Sequence, residues 1–174
     1  MRAEPRSEPG SGREPGAPSG RVAVELDQIV CTFQHPDPKT PGYTAIRDLS
    51  LRVADGEFVA VVGPTGCGKS TILNLAAGLI PPTAGTVRIF GETLTGLNRR
   101  AGYLFQTDSL MPWRNATQNV AVGLEYRGVD RREAALLADE WLVRVGLEGR
   151  GHVHPDQLSG GMKKRVSLAQ TLIL

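Results

Sequence analysis

The sequence predicts an α/β fold of the phosphate-loop type, with a small antiparallel sheet and a helical portion attached to it. Three observations carry this expectation. The stretch Gly63-Pro64-Thr65-Gly66-Cys67-Gly68-Lys69-Ser70 has the form G-x-x-x-x-G-K-S. It is preceded by Glu57-Phe58-Val59-Ala60-Val61-Val62, β-branched and apolar on both faces, as a strand buried in a parallel sheet reads. It is followed by Ser70-Thr71-Ile72-Leu73-Asn74-Leu75-Ala76-Ala77, a short helical run that Gly78 and then Pro81-Pro82 bring to a stop.

Taken in order, residues 1–20 hold four prolines, four glycines and three serines, with three arginines balanced by three glutamates. Such a stretch buries too little apolar surface to offset its ordering entropy, and a disordered tail is expected. Order is expected to begin at Val22, where Val22, Val24 and Leu26 alternate with Ala23, Glu25 and Asp27 at the period of a half-buried strand. Residues 35–42 carry three prolines and read as a loop. Leu49, Leu51 and Val53 alternate again, and Asp55-Gly56 is a hairpin turn pattern. Thr86–Phe90 reads as a third strand of the antiparallel sheet, and Tyr103-Leu104-Phe105 as a further strand ending at Gln106. The spacing predicts a helix over 131–145. Asp130 caps it, Glu133 completes a capping box and Gly146 stops it, while Ala134, Leu137, Ala138, Trp141, Leu142 and Val145 share one face. A last helix is expected from Gly160 to the end of the sequence.

Composition narrows the function. The chain has 174 residues, the size of one ordinary domain. Its 20 basic and 18 acidic residues leave a net charge of +2, which argues against a nucleic-acid partner or a membrane-surface patch. Two cysteines, Cys31 and Cys67, are too few for a disulfide framework, so a reducing cytosol is expected. No apolar run approaches the length of a membrane span, and the N-terminus lacks the apolar core of a signal peptide. Membrane association is therefore expected only through a partner.

The chemistry centres on the glycine loop. Gly63, Gly66 and Gly68 let the backbone curl, so that its N–H groups reach a polyphosphate without Cβ clashes. Lys69 supplies a point charge for β- and γ-phosphates. Ser70 offers a hydroxyl to Mg²⁺, and the helix continuing through Thr71 turns its positive end to the anion. A second such device is Leu158-Ser159-Gly160-Gly161-Met162, about 90 residues further on. Ser159 caps a helix whose first positions, Gly160 and Gly161, leave its N–H groups open to an anion. By itself this second stretch reads equally as a plain helix cap.

Minor patterns have plainer readings. His152 and His154, with no further ligand cluster, read as loop residues rather than a metal pair. Asn115-Ala116-Thr117 fits a glycosylation acceptor, which a chain without an export signal would not use. Lys163-Lys164-Arg165 reads as an exposed helix face.

In order and combination these motifs resemble the nucleotide-binding subunit of an ABC transporter, from about Val22 to Leu174. Gly63 to Ser70 resembles that family's Walker A loop, and Leu158 to Met162 with Lys163-Lys164-Arg165-Val166 its signature motif. Gln106 after Phe105 resembles the Q-loop glutamine. The surroundings Leu110-Met111-Pro112-Trp113-Arg114 and Asn119-Val120 resemble importers of nitrate, sulfonate, taurine and similar small solutes. Lys164 departs from the family's usual glutamine. The resemblance implies a P-loop NTPase fold, an ABC nucleotide-binding domain over 21–174, with an antiparallel β-subdomain and a helical subdomain over about 107–160. It implies ATP and Mg²⁺ as cofactors, with Gly63 to Thr71, Ser159, Gly160 and Gly161 as nucleotide contacts, and Ser70 and Gln106 at the metal. Gln106 would contact the attacking water and couple to the membrane domain. An aromatic residue would stack on adenine, with Phe33 the first match and Tyr43 the second, since stacking asks only for a π-face. Two subunits would pair head to tail, so that Ser159, Gly160 and Gly161 act on the partner's γ-phosphate. The dimer would sit on the inner face of the cell membrane through a transmembrane permease, with a solute-binding protein as an indirect partner.

The family's next parts are an apolar strand ending in Asp and Glu and, later, a histidine. Between Gly160 and Leu174 there is no acidic residue and no histidine. Leu136-Leu137-Ala138-Asp139-Glu140 imitates the acidic strand, but it precedes the signature motif and lies within the amphipathic helix pattern. A C-terminally truncated cassette with an incomplete core sheet is therefore expected. It would be the ATP-binding subunit of an importer or, failing catalysis, a non-hydrolysing nucleotide-binding fragment. A kinase or GTPase sharing only the phosphate loop is the third reading, and the second motif speaks against it.

Overall fold

A computed structural model describes residues 20–37, 39–107 and 109–174. The expected N-terminal tail falls almost wholly outside them. The chain divides into two compact units, one ending at Asn98 and one spanning Arg99–Leu174.

The first unit is a four-stranded antiparallel sheet with one helix. The strands are β1 (Val22–Phe33), β2 (Tyr43–Ala54), β3 (Ala84–Ile89) and β4 (Glu92–Thr93), in the spatial order β2-β1-β3-β4. Helix α1 (Lys69–Ala76) lays Ile72 and Leu75 against the sheet, and the core gathers Leu26, Ile29, Cys31, Ile46, Val87 and Ile89. The alternation seen from Val22 changes phase within β1. Gln28 adopts φ 50° at a register shift, so Leu26 and then Ile29 and Cys31 face inward. A bulge inserts one residue and moves every later side chain to the other face. Gly85 closes on this bulge: at φ +87°, a Cβ there would lie 2.4 Å from the Gln28 carbonyl oxygen. Burial pushes the Cys31 thiol up, favouring its neutral form.

The expected strand over Glu57–Val62 does not form. Among the described residues no strand pairs with it, and Phe58 and Val62 are 94% and 87% exposed. A run apolar on both faces becomes a strand only when neighbours satisfy its backbone and cover both faces, so composition alone did not suffice. Tyr103-Leu104-Phe105 is likewise not a strand. Its Tyr103 and Phe105 rings instead tilt together at 4.6 Å between centroids. The exposed run has a measurable consequence. The 174-residue chain is expected to self-associate at micromolar concentration, and Phe58→Ser with Val62→Ser is expected to raise the monomer fraction in light scattering. A monodisperse parent chain with a sharp cooperative melt would contradict this.

The second unit packs α2 (Ala116–Tyr126), α3 (Arg131–Arg144) and α4 (Gly160–Leu172) around Val120, Ala134, Ala138, Leu142, Val166 and Ala169. The Asp130 carboxylate caps α3 by accepting from the Arg132 amide. The reciprocal box expected with Glu133 forms at α2 instead, where Asn115 and Gln118 each accept the other's backbone N–H. Asn115 thus serves as a helix cap. Gly146 stops α3 at φ 70° as expected. Leu137, expected on the buried stripe, sits at its edge and is exposed.

Candidate functional site: the glycine loop and the second cap

The loop is held open by its glycines. Gly66 and Gly68 adopt φ +84° and +95°, left-handed conformations in which side-chain-bearing residues are strained. Gly68 is constrained twice, because a Cβ there would lie 2.9 Å from the Ala45 carbonyl oxygen of β2. This residue is also the N-cap of α1, so the left-handed turn aims the first helical amides, from Lys69 through Thr71, back toward the loop. Helix α1 begins one residue earlier than the sequence pattern placed it.

The Lys69 ammonium curls over the loop, donating to the carbonyls of Gly63 at 2.8 Å and Pro64 at 2.6 Å, with the Cys67 sulfur at 3.6 Å. Its charge is therefore held at the loop itself. Thr65, Cys67 and Ser70 are exposed, and the Ser70 hydroxyl is open to solvent. The Cys67 amide donates to the Pro64 carbonyl at 3.4 Å. A glycine loop opening a helix, with one ammonium and one hydroxyl beside it, suits a polyphosphate carrying a divalent cation.

Both aromatic candidates lie in the same unit. Phe33 and Tyr43 are register partners across β1 and β2, 44% and 61% exposed. The Tyr43 hydroxyl donates to the Gly66 carbonyl at 3.2 Å. By the family resemblance Tyr43 is only the second match for stacking. Nothing local in the sequence marks a residue 23 positions before Gly66 as a partner of the loop.

Gln106, Ser159, Gly160 and Gly161 belong to the second unit. The Gln106 backbone carbonyl accepts from the Lys164 ammonium, and its side chain is exposed. Ser159 caps α4, its hydroxyl accepting from the Met162 amide at 3.3 Å. Neither Gly160 nor Gly161 has a positive φ, and a Cβ at either would meet nothing within 4 Å. Their bareness thus answers no packing or backbone need among the described residues.

The remaining polar patterns are structural. Asp139, of the imitation acidic strand, lies on α3 and accepts from the Thr117 hydroxyl. Arg165 donates to the carbonyls of Val145 and Gly146, satisfying the C-terminal end of α3. His152 and His154 flank the buried Val153 in a loop, and no group of three or more metal-ligating side chains occurs among the described residues. Among them, no helix is long and apolar enough to cross a membrane.

A glycine-lined anion loop opening a helix, set against a sheet, defines the class: a phosphate-loop α/β protein. The ABC transporter family profile matches residues 46–174, and the chain belongs to that family, as an ATP-binding cassette. The taurine import ATP-binding protein TauB of Escherichia coli is 40% identical over 131 residues, 75% of this chain and 51% of that protein. TauB of Pseudomonas aeruginosa is 48% identical over 127 residues, 73% of this chain and 48% of its own length. An uncharacterized ABC transporter ATP-binding protein of Methanocaldococcus jannaschii is 44% identical over 152 residues, 87% of this chain and 56% of its own. The chain thus spans about half the length of the curated relatives it matches. Among solved structures, the ATP-binding cassette MJ0796, a dimer bound to ADP and Pi, superposes with a TM-score of 0.76 at 31% identity. That match covers 86% of this chain and 69% of the other.

Proposed function

We propose that this chain is the ATP-binding part of an ABC importer for a small solute of the taurine and sulfonate class, converting ATP binding and hydrolysis into uptake. The observation that carries the reading is the glycine loop, where Gly68 meets a positive φ and a backbone wall at once and Lys69 holds its charge at the loop. The identity to TauB proteins supports the importer assignment and the solute class.

In this reading residues Gly63 to Thr71 hold the phosphates of ATP, and Phe33 stacks on the base. The Ser70 hydroxyl would hold Mg²⁺, which would supply charge neutralisation at the phosphates. Lys69 leaves its own carbonyls for the anion, which offers a charged acceptor in place of neutral ones. The open Gly160 and Gly161 at the start of α4 support a surface offered to a second subunit's nucleotide, since a Cβ at either would meet nothing within 4 Å among the described residues. The dimer seen for MJ0796 supports the same arrangement. The complex would work from the inner face of the membrane on a permease, with a solute-binding protein upstream.

A second reading has its own observation. No acidic residue or histidine lies between Gly160 and Leu174, so those residues themselves hold no general base of the usual kind. The purified chain is therefore expected to bind ATP while turning it over near the buffer rate. Binding and phosphate release measured on one preparation check this. Turnover at a rate of about 1 s⁻¹ or more would favour a complete catalytic unit in these residues. Absence of binding would contradict both readings.

A further inference from the structure

We propose that Tyr43 is a positioning residue of the glycine loop rather than a base-stacking one. This inference rests on the nucleotide-binding reading of that loop.

The start of β2 forms one wall of the loop at two points. The Tyr43 hydroxyl donates to the Gly66 carbonyl, and the Ala45 carbonyl oxygen lies where a Cβ of Gly68 would have to go. The two points bracket Cys67 and fix both left-handed residues, Gly66 and Gly68, from the same strand. Glycine at φ +84° is free to leave that conformation, and a Cβ at Gly66 would meet nothing within 4 Å. Packing does not hold Gly66 in place, so the hydrogen bond from Tyr43 supplies a restraint that sterics do not. Orienting the Gly66 carbonyl outward to Tyr43 also turns the next peptide N–H, that of Cys67, away from the strand.

The other end of the tyrosine is fixed as well. β2 begins directly after Gly42, where a Cβ would lie 2.7 Å from the Phe33 carbonyl oxygen, so the two strands close tightly at this end. The hydroxyls of Thr32 and Thr44 lie 3.0 Å apart one residue further along. Tyr43 therefore projects from a braced strand end onto a loop whose own bonds, from Lys69 and from the Cys67 amide, fall on Gly63, Pro64 and Cys67 and leave the Gly66 carbonyl to the tyrosine. This divides the labour between the two aromatic residues: Phe33 has no polar handle and remains for the base, while Tyr43 spends its hydroxyl on the loop.

The test compares ATP, ADP and AMP, each competing against a fluorescent ATP analogue, on the full chain and on Tyr43→Phe, which keeps the ring and removes the hydroxyl. Loss of one neutral hydrogen bond that orders the loop is expected to weaken ATP and ADP by about three- to tenfold. AMP, which does not reach the deeper phosphate positions, should change less than twofold, and the melting temperature should stay within about 2 °C. Phe33→Leu should instead weaken all three nucleotides alike. Unchanged ATP and ADP affinity in Tyr43→Phe would overturn the proposal, and so would an equal loss for AMP, which points to the base. If the unaltered chain bound none of the three, the nucleotide-binding reading would fall first and this inference with it.

Discussion

Lys69→Ala is expected to weaken ATP binding by about 10- to 100-fold while leaving the melting temperature within about 2 °C. The size follows from removing a charged donor from a desolvated polyphosphate, where such hydrogen bonds contribute about 1.5–3 kcal/mol. The small effect on folding follows from its present partners. Lys69 donates within its own loop, to the carbonyls of Gly63 and Pro64 and to the Cys67 sulfur. Lys69→Arg should not restore affinity, because a planar guanidinium does not fit where a compact ammonium curls over two adjacent carbonyls. Titration of both variants by calorimetry, beside thermal melts, checks the pair. ATP affinity within twofold of the parent in Lys69→Ala would remove Lys69 from the site.

Asn119→Ala is expected to destabilise the helical unit by about 3 kcal/mol, the largest stability effect of any polar residue there. Asn119 is fully buried, and both polar atoms of its side chain are hydrogen-bonded. Its Oδ1 accepts from the Met111 amide at 2.7 Å, while its Nδ2 donates to the carbonyls of Met111, Arg114 and Asn115 at 3.1, 2.9 and 3.0 Å. One amide thus folds the 111–115 loop onto the start of α2. Asn119→Asp should be worse than alanine. It keeps the acceptor for Met111 but turns a carboxylate oxygen toward three carbonyls. Urea denaturation followed by circular dichroism reads the order parent, alanine, aspartate. An aspartate variant as stable as the parent would contradict the assignment of Oδ1 and Nδ2.

The two cases mark what the sequence makes legible. The glycine loop, the caps at Asp130 and Ser159 and the stop at Gly146 are written within a few residues, because each answers a local backbone need. The three main strands of the antiparallel sheet and the helices α1, α3 and α4 followed from period and punctuation. The bulge at Gln28 was not legible, since Gly85, whose missing side chain leaves room for it, lies far along the chain and meets it only after β1 pairs with β3. The same holds for Tyr43 and Gly66. Asn119 was noticed only as part of a resemblance, because a buried amide and an exposed one look alike in sequence. Glu57–Val62 failed in the opposite direction: its composition is that of a strand, but strand structure also belongs to the neighbours that pair with it.

The central claim is that Gly63 to Thr71 is where this chain takes its nucleotide. Amide hydrogen exchange, with and without MgATP, tests it residue by residue. Exchange at Gly66, Cys67, Gly68, Lys69, Ser70 and Thr71 should slow at least about tenfold on saturation, by mass action on the bound state. Unchanged exchange across 63–71 at saturating nucleotide, with protection appearing elsewhere, would contradict the account.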